Sequence, residues 1–367
     1  MKIICPQKET LEKMIGYAEK ITSKNSTLPV LKCLYLESGK NELIIKATNL
    51  DLGIEIKIPV KTEKEGVVAV PGNVLLGFIS NIKDEKTISL EEVEGNLKVS
   101  TDHHSTIIKC QPSEDFPNIP QIEDGKTIIL NAKSLIKGLK AVWYAASISS
   151  MKPELSSVYV YTNDEGLVFA ATDAFRLAEK KVKLKKTIDF PSVLIPFRNV
   201  SEIIRILEGV DEDIEVVVDK NQISFGFDGV YLTSRVVDGV FPDYRNLIPK
   251  EIATEVIVLK QDFINNLKVA NVFSDKFNKI TMTVEPSKKN FELKTKNSDI
   301  GESSNRLAGS LSGEEIEISF NYKNITDVFQ SIETDSLSLS FNGLSKPLLI
   351  KPVSDDSFLY IVMPMNK

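Results

Sequence analysis

The segment 128–146, IILNAKSLIKGLKAVWYAA, runs from three consecutive apolar residues into a lysine-rich stretch in which apolar residues recur every three or four positions. Leu135, Leu139 and Val142 stand at i, i+4 and i+7, so they share one face of an α-helix. The segment therefore predicts a short strand followed by an amphipathic helix over residues 134–146.

The same pattern occurs twice more in the chain. Residues 3–6 lead into a predicted helix at 10–21, and residues 256–258 lead into one at 262–273. The apolar positions coincide in three sets of equivalent residues: Leu11, Leu135 and Phe263; Ile15, Leu139 and Leu267; Ala18, Val142 and Ala270. The copies start 124 and 128 residues apart. This period is that of a whole domain rather than of a solenoid repeat.

Other features repeat with nearly the same spacing. A second amphipathic helix is predicted at 73–82, 199–207 and 325–332, and the remaining sequence alternates apolar and polar residues as half-buried strands do. Proline-containing, charged stretches at 120–126 and 249–254 read as linkers. The sequence thus predicts an α+β fold of three tandem domains, each with two helices packed on antiparallel sheets, at 1–122, 126–249 and 253–367.

Composition limits the ways in which this chain can bind nucleic acid. The chain has 367 residues, of which 42% are hydrophobic and 26% charged, and a net charge of −6. A protein that coats nucleic acid with a basic surface is therefore not expected. If the chain holds DNA, it must use locally placed lysines or topology. We expect a cytoplasmic protein, since residues 1–6 are too short for a secretory signal and no apolar run is long enough for a bilayer.

Residues that bind metals or catalyse reactions are sparse. Cys5, Cys33 and Cys110 form no CxxC motif, so neither a disulfide framework nor a zinc site is indicated. His103 and His104 are adjacent in an alternating stretch, and on a strand they would face opposite sides. The phosphate-binding, zinc-protease and nucleophile-elbow motifs do not occur.

Two acidic clusters have structural interpretations. Residues 211–213 lack the glycine and glutamate that a calcium loop requires further along, so we interpret them as a turn between a helix and a strand. Asp355 and Asp356 read as the tip of a hairpin. The sequence therefore predicts a binding or structural protein without catalytic residues, metal or cofactor.

Basic residues recur on the predicted helices. Lys13, Tyr17 and Lys20 are expected opposite the apolar face of the first helix. Lysines and arginines in matching places on the other helices are Lys133, Lys137, Lys140, Arg198, Arg205 and Lys268. Lysines on a helix are usually a solvated surface, but their recurrence in all three repeats favours contact with DNA phosphates, without base readout.

Three further motifs carry a family resemblance. The segments ATDAFRLA (171–178), VDGVFPDYR (237–245) and YIVMPM (360–365), with Leu28-Pro29-Val30-Leu31, resemble the beta subunit of bacterial DNA polymerase III over the whole chain. The resemblance implies a head-to-tail homodimer that forms a ring of six domains, with helices inside. Duplex DNA would pass through the ring, which would tether the replicative polymerase and make it processive.

The resemblance also implies particular sites. A pocket between the second and third domains would bind short peptide motifs of polymerases, the clamp loader and repair or translesion proteins. Its residues here would be Leu155, Thr172, Arg176, Leu177, Pro242, Arg245, Leu247, Phe277, Val362, Met363, Pro364 and Met365. The dimer interface would include Thr106 and Ile108 of one chain and Val272 and Phe273 of the other, and Lys24 would join the DNA-facing residues.

The chain departs from the family pattern at a few positions. Ala174-Phe175 stands where the family commonly has Gly-His, Asn324 where an aromatic residue is common, and Ser157 where glycine is frequent. Two alternatives remain open at this point. One is a clamp-like scaffold that binds peptides without encircling DNA, and the other is a nuclease that uses Asp355 and Asp356.

Overall fold

The computed structural model describes residues 1–23, 27–83, 85–184 and 190–365. They form two compact units, Met1–Lys133 with Ser201–Val236 and Ser134–Val200 with Val237–Lys367. The second sequence repeat contributes residues to both units. Among the described residues, no helix has the length and apolar character that crossing a membrane requires.

Six α-helices in the described chain lie where the apolar periodicity predicts them. They are α1 (Lys8–Ile21), α2 (Gly72–Asn81), α3 (Ala132–Val142), α4 (Phe197–Leu207), α5 (Lys260–Asn271) and α6 (Tyr322–Thr326). The helices predicted at 134–146 and 325–332 each end in a tighter 3₁₀ turn, at Trp143–Ala145 and Asp327–Ser331. All nine residues of the repeated apolar sets are at most 3% exposed, so the predicted buried faces of α1, α3 and α5 are confirmed.

The strands of the described chain are numbered in chain order. They are β1 (Lys2–Cys5), β2 (Cys33–Gly39), β3 (Glu42–Thr48), β4 (Leu52–Pro59), β5 (Lys61–Lys64), β6 (Gly66–Pro71), β7 (Ile88–Val93), β8 (Asn96–Ser100), β9 (Ser105–Ile108), β10 (Lys126–Asn131), β11 (Ser157–Asn163), β12 (Gly166–Thr172), β13 (Arg176–Lys183), β14 (Val193–Pro196), β15 (Asp213–Val218), β16 (Gln222–Phe227), β17 (Val230–Arg235), β18 (Thr254–Leu259), β19 (Lys279–Glu285), β20 (Asn290–Asn297), β21 (Gly301–Leu307), β22 (Ser310–Gly313), β23 (Ile316–Asn321), β24 (Ser336–Phe341), β25 (Leu348–Pro352) and β26 (Phe358–Val362).

Each compact unit contains one large antiparallel sheet that joins two blocks of four strands, which we call half-sheets. In the first unit, half-sheet β10-β15-β16-β17 meets half-sheet β4-β3-β2-β6 through the pair β17–β4. In the second unit, β14-β11-β12-β13 meets β26-β25-β24-β18 through the pair β13–β26, and β22 extends the far edge. Consecutive sequence repeats therefore share their sheets.

Each unit also contains a smaller, separate sheet with unpaired edge strands. The five-stranded sheet of the first unit has the order β5-β1-β7-β8-β9, so β9 is an edge strand. The four-stranded sheet of the second unit has the order β21-β20-β19-β23, so β21 is also an edge strand. Unpaired edges of this kind can add a strand from another chain.

The first two repeats share a turn at the level of single hydrogen bonds. The Thr48 hydroxyl donates to the carbonyl oxygen of Leu52 at 3.0 Å, and the Thr172 hydroxyl donates to that of Arg176 at 2.7 Å. Between each pair, an Asn or Asp side chain accepts backbone N–H groups. The middle residues, Leu50 and Ala174, have φ of 80° and 76°. The duplication predicted from the sequence thus extends to backbone conformation.

The structure locates the histidines, acidic clusters and cysteines that the sequence analysis considered. His103 and His104 lie in the turn between β8 and β9, so placing them on a strand was wrong. The His103 ring Nδ1 is 2.9 Å from a carboxylate oxygen of Glu85. Asp211 and Glu212 lie between α4 and β15, of which Asp213 is the first residue, and Asp355 and Asp356 lie between β25 and β26. Cys5 and Cys33 are buried and Cys110 is partly buried.

Gly138, in the middle of α3, lies against the ring of Phe169. A Cβ atom at this position would come within 2.2 Å of that ring, whereas one at Gly77 in α2 would meet nothing within 4 Å. Phe169 is fully buried. The close approach of helix to sheet at this point therefore depends on glycine.

We expect Gly138→Ala to lower the free energy of unfolding by about 1–3 kcal/mol. The added methyl group would push the Phe169 ring aside, and this costs more than alanine gains through its better helix propensity. The matched change Gly77→Ala should raise it by about 0.5–1 kcal/mol. Urea unfolding of both variants checks this, and equal stabilisation by the two would contradict it.

Candidate functional site

The turn between β12 and β13 forms one wall of the candidate site. Thr172, at the end of β12, is buried and holds the turn through its hydroxyl. Leu177 packs in a cluster with Leu194, Phe241 and Ile361. Phe175, at the tip of the turn, leaves 66% of its side chain exposed. The turn therefore presents an aromatic ring above an apolar core.

All three guanidinium nitrogens of Arg176 donate hydrogen bonds inside the chain. Its Nε donates to Asp173 at 2.9 Å and its Nη2 donates to the carbonyl oxygen of Tyr144 at 2.8 Å. Its Nη1 donates to Asp327, and the side chain is only 11% exposed. Arg176 thus ties the turn to the end of α3 and to the 3₁₀ turn after α6. Sequence reasoning did not single out Tyr144 or Asp327, since nothing local marks them.

Hydroxyl groups extend this network. The Tyr144 hydroxyl and the Ser331 hydroxyl are 3.0 Å apart, and Ser331 also donates to the carbonyl oxygen of Ala141 at 2.9 Å. The Tyr360 hydroxyl donates to the carbonyl oxygen of Asn324 at 2.7 Å. Burial raises the pKa of both tyrosines, so they remain neutral donors.

The segment after β26 connects two sheets of the second unit. Val362 is buried and pairs with both Arg176 and Leu348. The backbone N–H of Met363 donates to the carbonyl oxygen of Phe175 at 2.8 Å, and that of Met365 donates to the carbonyl oxygen of Ser319 on β23 at 2.8 Å. Met363, Pro364 and Met365 are partly buried, so the segment borders the site rather than extending free.

The segment 237–248 packs against the same apolar cluster and forms a second wall of the candidate site. Phe241 and Tyr244 are buried, while Pro242, Arg245 and Leu247 point outward. The Tyr244 hydroxyl donates to the buried carboxylate of Glu179 and lies 2.9 Å from the Tyr161 hydroxyl. Burial, and then the Glu179 carboxylate, raise the pKa of Tyr244 well above its ordinary value.

Arg245 lies over the Tyr161 ring at 5.1 Å, at the surface end of this network. Its hydrogen bond and electrostatic attraction to Tyr161 raise its pKa. The motif 237–245 drew attention to Tyr244, but no signal in the sequence identified Glu179 as its partner.

The remaining expected pocket residues lie near these walls. Leu155 is partly buried and its carbonyl oxygen accepts from Ser147. Phe277 is 58% exposed, and its carbonyl oxygen accepts from the side chain of Asn321 at the end of β23, the strand that the Met365 segment borders. Leu247 is 50% exposed. Hydrogen bonds and strand pairs thus link the turn, the C-terminal segment and β23 along one side, and the buried cluster links Leu177 to the segment 237–248.

The positions that depart from the family pattern differ in their local surroundings. Ala174 has a φ of 76°, a conformation that favours glycine. Ser157 is buried, and its hydroxyl donates to the carbonyl oxygen of Pro153 at 2.8 Å. At Asn324 it is the backbone carbonyl that is used, as acceptor for Tyr360.

In the first compact unit, the expected DNA-facing residues differ in their surroundings. Lys13 is exposed, whereas Lys20 is partly buried and its Nζ donates to the carbonyl oxygen of Arg205 at 3.2 Å. Burial, and then the Arg205 charge, lower the pKa of Lys20. Tyr17 is only 7% exposed, so its expected place opposite the core was wrong, and both lysines lie over its ring instead.

Exposed ion pairs involve several of these basic residues. In the first unit, Lys133 pairs with Asp211 at 3.0 Å and Arg205 with Glu202 at 3.1 Å. In the second unit, Lys137 pairs with Glu333 at 2.9 Å. Lys140, Arg198 and Lys268 are exposed in the second unit. Lys24 lies outside the described residues.

The expected interface residues lie at or beside the two edge strands. Thr106 and Ile108 are on β9, where Ile108 is only 6% exposed and the neighbouring Ile107 is 60% exposed. Sequence reasoning did not select Ile107, although it is the apolar residue that β9 presents to solvent. Val272 follows α5 and is 65% exposed. The Phe273 ring lies 3.7 Å from the position of a Cβ atom at Gly301, the first residue of β21.

The described residues contain no cluster of three or more metal-binding side chains. Asp355, which the nuclease alternative requires, accepts from Lys180 at 3.3 Å and from the backbone of Ser357 at 2.8 Å. The geometry combines a hydrogen-bonded turn and C-terminal segment over an apolar cluster with a set of basic helices on a repeated scaffold. The class is that of the DNA clamps.

Comparison with known proteins gives the family. Residues 1–120, 129–243 and 245–366 match the N-terminal, central and C-terminal domains of the DNA polymerase III beta subunit. The chain therefore belongs to the DNA polymerase III beta subunit family, as the resemblance predicted, and the fold of three tandem clamp domains is confirmed. Members of this family are non-catalytic processivity factors.

Individual relatives agree along the whole chain. The beta sliding clamp of Synechococcus elongatus is 27% identical over 375 residues, covering 100% of this chain and 99% of the relative. The beta sliding clamp of Staphylococcus epidermidis is 25% identical over 356 residues, covering 95% of this chain and 94% of the relative. A crystal structure of the Thermotoga maritima DNA polymerase III beta subunit superposes with a TM-score of 0.94 at 27% identity, covering 100% of this chain and 99% of that one.

We expect Arg176→Ala to lower the free energy of unfolding by about 2 kcal/mol or more, because it leaves Asp173 and Asp327 without their cation. The matched change Arg245→Ala removes an exposed arginine of the same expected site and should cost less than about 1 kcal/mol. Urea unfolding measures both. A larger loss for Arg245→Ala would show that the Arg176 network is not what holds the turn.

Proposed function

We propose that two copies of this chain close head to tail into a ring of six domains that encircles duplex DNA. One observation carries the proposal, the repetition of half-sheets. Two equivalent strand pairs, β4–β17 and β13–β26, are closed inside the chain. The third equivalent pair consists of β21 and β9, and both are edge strands. Pairing β21 of one copy with β9 of another makes a third shared sheet.

Exposed apolar residues beside these edges support the same contact. Val272 stands 128 residues after Tyr144, which closes onto Ser331 within the second unit. The equivalent residue Tyr144 is covered by a residue of the next repeat. The 65% exposure of Val272 therefore fits a surface that a second copy would cover. A contact between different surfaces that closes after two copies gives a ring rather than a filament. The expected domain bounds, 1–122, 126–249 and 253–367, are supported by the family matches at similar limits.

DNA would then be held by topology, with weak contacts from the basic helices. The net charge of −6 argues against tight binding through an overall basic surface. The ion pairs of Lys133 and Lys137 are exposed, and pairs of this kind contribute about 0–1 kcal/mol. Phosphates can therefore replace their carboxylate partners at little cost. We infer a cytoplasmic protein that is bound to DNA under replication.

When loaded onto nicked circular DNA by a bacterial clamp loader, the protein should remain bound at high salt and be lost once the circle is linearised. Val272→Glu should abolish retention, because closing the ring would bury an unpaired charge. Ile129→Glu, which changes a residue of similar exposure on β10, should leave retention intact. Gel filtration of DNA with labelled protein measures retention. Salt-sensitive loss of the unaltered protein from intact circles would instead indicate ordinary phosphate binding.

The pocket residues would dock the polymerase catalytic subunit, the clamp loader and other proteins that carry a short clamp-binding motif. Support comes from the apolar cluster under Leu177, the outward Pro242 and Leu247, and the Met363–Met365 segment hydrogen-bonded across the site. Methionine and leucine side chains adapt their shape to different peptides. Such a surface suits a protein with several partners.

A labelled peptide of the type Gln-Leu-x-Leu-Phe should bind saturably in fluorescence anisotropy. Deleting residues 363–367 should abolish binding, because this removes the hydrogen-bonded segment while keeping all of β26. A control deletion of residues 366–367 leaves every expected pocket residue in place and should bind like the full chain. Unchanged binding after the longer deletion would exclude the C-terminal segment from the site.

A further inference from the structure

Three apolar side chains of the second unit are exposed to an unusual degree. Met151 is 88% exposed, Val240 87% and Ile148 78%, and they are the most exposed large apolar residues of the described chain. Single exposed apolar residues are common and need no function. These three, however, fall on only two loops, residues 147–156 and 237–243. We call Ile148, Met151 and Val240 the apolar ledge.

Hydrogen bonds hold the first loop in one shape. The backbone N–H of Ser147 donates to the carbonyl oxygen of Leu155 at 2.8 Å, which closes the loop at its base. The Ser156 hydroxyl donates to the carbonyl oxygen of Ser147 at 2.8 Å, and the backbone N–H of Leu155 donates to that of Lys152 at 3.0 Å. The exposure of Ile148 and Met151 is therefore imposed by an ordered backbone, and a partner would find them already in place.

The second loop lies beside the first. A Cβ atom at Gly239, next to Val240, would lie 3.7 Å from the Cβ atom of Glu154 and 3.6 Å from the side chain of Leu194. Leu194 belongs to the buried cluster that includes Leu177. Both loops also run directly into expected pocket residues, Leu155 on one side and Pro242 on the other. The ledge is thus continuous with the rim of the proposed pocket.

We propose that the apolar ledge extends the peptide pocket and binds an apolar residue that flanks the core motif in a partner's peptide. The inference rests on the proposed peptide-binding function. The two loops carry charges of both signs, Lys152, Glu154 and Asp238. A strongly charged segment therefore has no complementary surface here. An extended apolar segment does, because burying its side chain removes apolar surface of both partners from water.

The experiment compares three labelled peptides by fluorescence anisotropy on the full chain. One is the core Gln-Leu-Ser-Leu-Phe, and the others add Leu-Ser-Leu before or after it. At least one extended peptide should bind about three- to tenfold more tightly than the core, as expected for burying part of one apolar side chain. The double variant Met151→Ser with Val240→Ser should lose that gain and bind the core peptide unchanged. Ile129→Ser, an exposed apolar residue of the other unit, should keep the gain.

The outcomes separate the two proposals. Equal binding of core and extended peptides, or a gain that survives the double variant, would refute the ledge while leaving the pocket intact. Absence of binding by all three peptides to the folded chain would refute the pocket, and the ledge with it. All the substituted side chains are largely exposed, so loss of folding does not confuse the comparison.

Discussion

The pairing of strands between consecutive repeats is the constraint on which the rest of the structure depends. β4 hydrogen-bonds to β17, and β13 to β26, so no repeat completes its sheets alone. Antiparallel strands with unpaired edges carry unsatisfied backbone groups, and a folded protein must pair, cover or blunt them. Here two of the three equivalent strand pairs form inside the chain, and the strands of the third pair, β21 and β9, are both edge strands. The proposed head-to-tail pairing of two copies follows from this repetition of strand pairs.

Buried polar networks fix the loops that these sheets leave at the surface. Arg176 connects three separate elements through Asp173, Asp327 and the carbonyl oxygen of Tyr144. Glu179 fixes Tyr244 from below the segment 237–248. Removing one partner of a buried charge is costly, so each network favours the loop arrangement in which its partners meet. A partner peptide would meet walls already in position.

Sequence periodicity was sufficient for the parts of the fold that depend on local pattern. The apolar stripe through Leu135, Leu139 and Val142, copied twice, predicted three buried helix faces and the tandem architecture. The family motifs added the fold of a clamp. What periodicity missed depends on contacts distant in sequence. Tyr17 looked solvent-facing by its position on the helix, yet it is buried, with Gly209 close to its hydroxyl.

The site shows the same division between local and distant information. Motif matching named Arg176, but it did not show that Arg176 donates to Asp327, which is 151 residues away. It named Ile108, whereas the strand turns Ile107 outward, because a shift of one residue along a strand reverses the face. Ile148 and Met151 belong to no motif, and Val240 lies in the motif 237–245 without being singled out by it. The ledge residues stand out only through their exposure in an ordered loop, and exposure is a property of the fold.

The acidic net charge and the basic helices are compatible if the closed ring keeps the protein on DNA and the helices make only weak contacts with phosphates. A protein that stayed on DNA by phosphate binding alone would need many strong contacts, and each would resist movement along the duplex. In the proposed ring, closure through β9 and β21 prevents escape, so the individual contacts can be weak. Lysines already paired with exposed carboxylates, such as Lys133 with Asp211, suit this role. Exchanging a carboxylate for a phosphate changes the free energy little in either direction, and contacts of that kind let the ring move while its topology keeps it in place.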